Sequence, residues 1–344
     1  MVYSMISKLF NRSRILYRKV LKKLWKKPPY NSRLKDPSGA IFITGFGVGG
    51  FYGVGKVDSE YFFPPFCKEL ESAGLKVSFF SKPDLYNNSP IKPASIIHIY
   101  GEDHEIEEIG KLGLLEEGGP LIFNSLNTGL ICADKGETNR ILSENGILTP
   151  SMNLSGEVIF SNSSAFGSSR PVELHNDAGQ VDPSHYNTDF IDTAVTFNNQ
   201  DYYTSIRILC VGPYIVHGWV RARNAEEGDP CVRSVGTPKD AGLLEYLQKI
   251  QVTDRIIELE DIAEKIYQCL GAGFYVHDLL VEKDSGKIYV CETGFKFNDS
   301  TYPDPLEDIK DQMPSHDILF SDELPKKAAR AFLKTCAREG VYQS

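Results

Sequence analysis

The chain has 344 residues, 41% of them hydrophobic and 24% charged, with a formal net charge of −9. This apolar content suffices for the cores of two or three domains and excludes a disordered polyelectrolyte. Apolar runs stop at about 5 to 8 residues against the roughly 20 needed to cross a bilayer, so no spanning helix is expected.

Charge divides the chain. Residues 1–35 carry eleven Lys and Arg and no Asp or Glu, leaving 26 basic against 46 acidic residues in the remainder. The acidic body argues against a nucleic-acid partner. Near the N-terminus Ile6, Leu9, Phe10, Leu16, Tyr17, Val20, Leu21 and Leu24 recur at three- and four-residue steps, which predicts an amphipathic helix with a basic outer face, ended by Pro28-Pro29. Such a helix suits an anionic membrane surface contacted through residues 1–27; packing on the body and an organellar presequence fit the same pattern. Seven cysteines stand singly with no C-x-x-C pair, which argues against a disulfide framework and for a reducing, cytoplasmic setting with the membrane surface as an additional location. Cys210 and Cys291 sit inside apolar runs and are expected in the core.

After this first segment, 1–37, strands are predicted at 41–44, 76–80, 96–100 and 121–124, with a helix through 66–70. Strands spaced around helices predict a parallel sheet with crossovers, a small Rossmann-like α/β lobe over 38–127. Gly45-Phe46-Gly47-Val48-Gly49-Gly50 matches the dinucleotide pattern G-x-G-x-x-G after a strand. Phe51 and Tyr52 interrupt the helix start, and Asp84 falls about twenty residues too late for a ribose ligand. An NAD-dependent oxidoreductase is therefore the weaker reading, and a tight loop over the sheet edge the preferred one.

The remainder reads as α+β. A helix beginning near Ala133 carries Lys135, Arg140 and Leu142 and is closed by Asn145-Gly146. Strands are predicted at 158–160, 172–175, 189–193, 202–211 and 214–221, then a polar stretch over 224–240, a helix over 254–270, strands at 274–281 and 287–292, and helices to the C-terminus. Asp278 and Glu292 stand on neighbouring strands across the 283–287 turn. Two adjacent carboxylates suit magnesium, which needs only one or two protein carboxylates when bridged to a triphosphate. An ordinary hairpin with polar ends has the same spacing.

The order of Asp134-Lys135 at a helix start, Asp189-Phe190-Ile191-Asp192-Thr193, Tyr203-Thr204-Ser205-Ile206-Arg207 running into Val211-Gly212, and then Asp278 and Glu292 resembles the ATP-grasp superfamily. Within it the pattern is similar to ribosomal-protein glutamate ligases and glutathione synthetases, over 41–300. The resemblance implies a Rossmann-like pre-ATP-grasp lobe followed by a two-subdomain ATP-grasp fold, divided into 128–193 and 194–344, with ATP and Mg2+ as cofactors. It implies a ligase that forms an acyl phosphate on a small-molecule or peptide carboxylate for attack by an amine or other nucleophile.

Residue by residue, the resemblance implies that Lys135 contacts the ATP phosphates. It makes 189–192 a hinge strand between Asp189 and Asp192, with the backbone around Phe190 and Ile191 pairing with adenine and Asp192 reaching the ribose. Arg207 faces the transferred phosphate, a role needing permanent charge; Arg221 and Arg223 add to that clamp or bind an acidic substrate. Asp278 and Glu292 hold magnesium. Two departures stand out. Glu292-Thr293-Gly294 lacks the family's asparagine two positions on, which leaves Asn298 as a replacement, and 170–179 has no lysine, which leaves Arg170 or His175. These gaps keep open a catalytically degenerate ATP-binding sensor or scaffold at a membrane surface. His217 and His277 are the candidate general bases. The sequence sets neither the substrate nor the oligomeric state.

Overall fold

The computed structural model describes residues 40–45, 58–80, 95–99, 120–162, 172–233, 236–295, 309, 312–313 and 323–341. The basic N-terminal helix, the glycine-rich loop after Gly45, Arg170 and Asn298 lie outside the described residues. No described helix is long and apolar enough to cross a membrane.

The chain folds as α+β. β1 (Ala40–Gly45) pairs in parallel with β2 (Lys76–Phe80) and β3 (Ser95–Ile99), and β3 pairs in parallel with β4 (Leu121–Phe123), giving the order β2-β1-β3-β4. Parallel neighbours need a crossover, and α1 (Asp58–Ser72) lies between β1 and β2. Two helices follow where the sequence pattern suggests one. α2 (Leu126–Ala133) ends at Asp134, and α3 (Lys135–Glu144) begins there. The Asp134 carboxylate accepts the Gly136 and Glu137 amides, an N-cap that separates the two.

A three-stranded antiparallel sheet sets β5 (Ile159–Asn162) between β6 (Val172–His175) and β7 (Tyr186–Asp189). A second antiparallel sheet orders β10 (Tyr214–Asn224), β9 (Gln200–Val211), β11 (Phe274–Val281) and β12 (Ile288–Gly294), with β8 (Ala194–Phe197) also on β9. The continuous strand expected over 189–193 is broken. β7 ends at Asp189 and β8 starts at Ala194, because the Asp192 carboxylate accepts the Ala194 amide at 2.9 Å and its carbonyl accepts the Lys283 amide at 2.8 Å.

The five-stranded sheet buries both faces. On one, Ile206, Ile208, Val220, Tyr275 and Leu279 pack with Leu243 and Leu247 of α4 (Ala241–Gln248) and with Leu259, Ala263 and Ile266 of α5 (Ile256–Leu270). Gln248 also closes the edge strand β10: its side-chain amide donates to the Gly218 carbonyl at 2.9 Å and accepts the Val220 amide at 3.2 Å. On the other face Leu209, Val211, Val216, Trp219, Phe274 and Val276 join one core with Phe66 and Leu70 of α1, Phe123 of β4, and Phe332 of the C-terminal helix α6 (Leu324–Arg338). Aromatic pairs knit it together, with Phe123 and Phe332 centroids 4.5 Å apart. α6 also bridges outward, Arg330 to Glu69 of α1 and Arg338 to Glu264 of α5.

Candidate functional site

Side chains alternate along a strand, so Ser205 and Arg207 face the same way as Leu209, Arg221 as Trp219, and Asp278 as Val276. The register then gathers them. Arg207 is opposite Asp278, Asp278 is opposite Glu292, and Arg221 is opposite Ser205. A bulge in β12 helps: Leu279 faces Val290 but Asp278 faces Glu292, so Cys291 is one residue extra.

Asp278 is held by two arginines. Arg207 donates from Nε to Oδ1 at 2.7 Å and from Nη2 to Oδ2 at 2.8 Å, and Arg221 Nη2 lies 3.1 Å from Oδ1. Arg221 Nε also donates to the Ser205 hydroxyl at 3.1 Å. Burial by itself raises the Asp278 pKa, but the adjacent Arg207 and Arg221 charges outweigh it and hold the carboxyl well below the usual range. For Arg207, burial works to remove the charge, and Asp278 more than offsets that effect. Lys135, at the first position of α3, places Nζ 3.5 Å from Glu292 Oε2.

These groups form the floor of a cleft between the two antiparallel sheets. Phe160, Val172, Phe190, Ile191, Val232 and Leu280 make its apolar wall, with Tyr186, Thr188 and Asp189 beside them. The space is about 1060 Å3 counting the open solvent at its mouth. The segment after β7 is fixed by local bonds. Asp189 accepts the Gly156 amide at 2.9 Å and the Ser155 hydroxyl at 3.2 Å, and the Phe190 amide donates to the Val158 carbonyl at 2.9 Å. That amide is committed to the 155–158 turn, not to a ligand.

Of the residues singled out in the sequence, Lys135, Asp189, Phe190, Ile191, Arg207, Arg221, Asp278 and Glu292 come together in this cleft. Others do not. Asp192 caps β8 and is not among the lining residues, and His175 pairs with Glu173 at 3.4 Å outside the cleft. Arg223 braces the following loop through Glu227, Asp229 and the Cys231 carbonyl, so that Pro230, Cys231, Val232 and Arg233 wall the cleft. His217 is buried against Trp219, with ring centroids 4.9 Å apart. His277 faces the helices, bonds Thr293 at 3.0 Å, and is pushed down to about 3 by burial, against the opposing pull of Asp278. No histidine lines the cleft among the described residues.

Three contributors escaped the sequence reading: Ser205, Tyr186 and the 230–233 wall. Ser205 had a signal, since it stands two residues before Arg207 on the same strand face. Tyr186 had none, because its hydroxyl is reached by Asn139 from another element, at 3.2 Å.

The residues fit magnesium only in part. Glu292 is half-exposed and turned to the cleft. Asp278 already takes three guanidinium contacts, where a carboxylate offers about four acceptor positions. Among the described residues no group of three or more His, Cys, Asp or Glu could hold a metal ion.

No protein-family model matches the chain, and no curated protein sequence matches it. Solved structures do. In its backbone the chain is similar to ATP-grasp ligases. A RimK-domain ATP-grasp protein from Sphaerobacter thermophilus is 14% identical, with 85% of this chain and 99% of that one covered and a TM-score of 0.44. D-alanine–D-alanine ligase from Bacillus anthracis is 14% identical over 88% and 99% of the two chains, with a TM-score of 0.47. The ATP-grasp ligase PsnB, solved with a minimal precursor, Mg and ADP, is 10% identical over 87% and 99%, with a TM-score of 0.49. At such identities the likeness carries no residue roles.

Proposed function

We propose that the chain binds ATP with Mg2+ in the cleft between its two antiparallel sheets and acts as an ATP-grasp, ligase-like protein on a small-molecule or peptide carboxylate. One juxtaposition supports this reading: a single cleft is lined both by Phe160, Phe190 and Ile191 and by Lys135, Arg207, Arg221 and Glu292. A nucleotide asks for both kinds of surface, an apolar one for its flat base and a charged one for its anionic phosphates.

ATP would supply the phosphoryl group that activates the carboxylate, and Mg2+ would neutralise phosphate oxygens. The chain's own residues position and balance charge. Lys135 presents a point charge from the first turn of α3, and Arg207, its plane fixed by Asp278, stays charged and is preorganised toward developing negative charge. Glu292 is the more exposed of the two paired carboxylates, half-exposed where Asp278 is buried. With no histidine among the described residues lining the cleft, orientation and electrostatics carry the chemistry.

The arginine contacts on Asp278 favour a second reading, ATP binding without turnover by a sensor or scaffold. Membrane contact through residues 1–27 belongs with that reading. Calorimetric titration with a non-hydrolysable ATP analogue, with and without Mg2+ and with NAD as control, tests the common ground. Saturable binding strengthened by Mg2+ is expected; absence of ATP binding, or NAD binding in its place, overturns it. Phosphate release with carboxylate and amine pairs then separates ligase from binder.

A further inference from the structure

Asp278 and Glu292 stand opposite each other on β11 and β12, yet their carboxylates have different surroundings. Asp278 accepts Arg207 Nε at 2.7 Å on one oxygen and Nη2 at 2.8 Å on the other, while Arg221 Nη2 adds a contact at 3.1 Å. The two-pronged Arg207 contact fixes the plane of the group. With about four acceptor positions on a carboxylate, little capacity is left over. The side chains of Asp278 and Arg221 are 9% and 7% exposed. Turning Asp278 toward an ion would strand guanidinium groups in a place where water reaches them poorly, and an uncompensated buried charge is strongly unfavourable. Magnesium also asks for near-octahedral oxygens at about 2.0–2.1 Å, which an oxygen shared by two guanidinium groups meets badly. Glu292 differs on each count. Its side chain is 39% exposed, it lines the cleft, and Lys135 Nζ sits at 3.5 Å, beyond a normal hydrogen bond.

The geometry points to Asp278 as a positioning residue that anchors Arg207 and Arg221 toward the cleft, with Glu292 as the carboxylate left for a divalent ion. The protein then neutralises phosphate charge with two fixed arginines and a metal held from one side. This inference rests on the nucleotide reading above.

The test titrates a non-hydrolysable ATP analogue into the wild-type chain, Asp278→Asn and Glu292→Gln, each with and without Mg2+. If wild type binds no analogue, the nucleotide reading fails and the inference with it. If it binds, the anchor role predicts that Asp278→Asn weakens affinity about tenfold in both conditions, so the ratio between them stays within about twofold of wild type. Glu292→Gln is expected to lose the magnesium enhancement and keep its metal-free affinity. Collapse of the ratio in Asp278→Asn overturns the anchor role and leaves the nucleotide reading standing. Should Asp278→Asn fail to fold, a crystal structure of wild type with the analogue and Mn2+ decides. Mn2+ on Glu292 with Asp278 still on its arginines supports the inference, and an Asp278 oxygen bound to Mn2+ overturns it.

Discussion

The two ends of one face of the five-stranded sheet follow the same alternation and have opposite fates. Toward α6 the face carries Leu209, Val211, Trp219 and Val276, sealed in one core with residues of α1, β4 and α6. Toward the cleft it carries Ser205, Arg207, Arg221, Asp278 and Glu292. The strands fix only which way a side chain points, and its chemistry decides whether that point becomes core or site. At the apolar end burial is favourable in itself. At the polar end Arg207, Arg221 and Asp278 tolerate burial because each meets an opposite charge at hydrogen-bond distance, while Glu292 stays half-exposed.

Substitutions at each end can break the comparison. Trp219→Ala removes a fully buried side chain from the apolar end and is expected to cost about 3–5 kcal/mol in chemical denaturation. Asp278→Ala at the polar end should cost a similar amount, about 3–5 kcal/mol, by leaving two guanidinium groups uncompensated. Replacing the whole triad, Arg207→Leu with Arg221→Met and Asp278→Leu, converts the polar end into a copy of the apolar one. That variant should unfold no more easily than wild type while losing ATP-analogue binding, and a large loss of stability would show that the triad holds the fold and not merely the site.

A smaller effect comes from the helix-facing side. Burial pushes His277 down to about 3 in the folded state, against about 6.5 for a free imidazole. The folded state therefore binds fewer protons across that window, and stability falls as pH drops below about 6.5, by about 2 kcal/mol at pH 5. In His277→Gln that slope should vanish from denaturation midpoints measured between pH 7 and 5, and an unchanged slope would assign the acid sensitivity to another group.

The long strands were legible because their apolar runs extend for seven residues or more, and the 283–287 turn between two of them put Asp278 and Glu292 on neighbouring strands; the bulge that brings both onto one face was not legible. α2 and α4 were not. Each has eight residues and contains a glycine, Gly129 or Gly242, which weakens helical pattern over so short a span. The break between β7 and β8 was hidden because a side-chain bond from Asp192 makes it, and the apolar pattern runs straight through. The arginine grip on Asp278 was invisible for a different reason. Arg207 and Asp278 are 71 positions apart, and only the register of β9 on β11 puts them together.

The extra residue in β12 works as a change of phase. Counting forward from Ile288 and Val290, both turned to the helices, strict alternation would send position 292 the same way. Cys291 adds one step to the count, and the carboxylate emerges in the cleft. The direction of Glu292 is thus written in the bulge and not in the acid itself. The same residues paired without the bulge would turn this carboxylate into the apolar helix-facing layer, whereas removing Cys291 would restore regular pairing and leave the acid opposite Asp278.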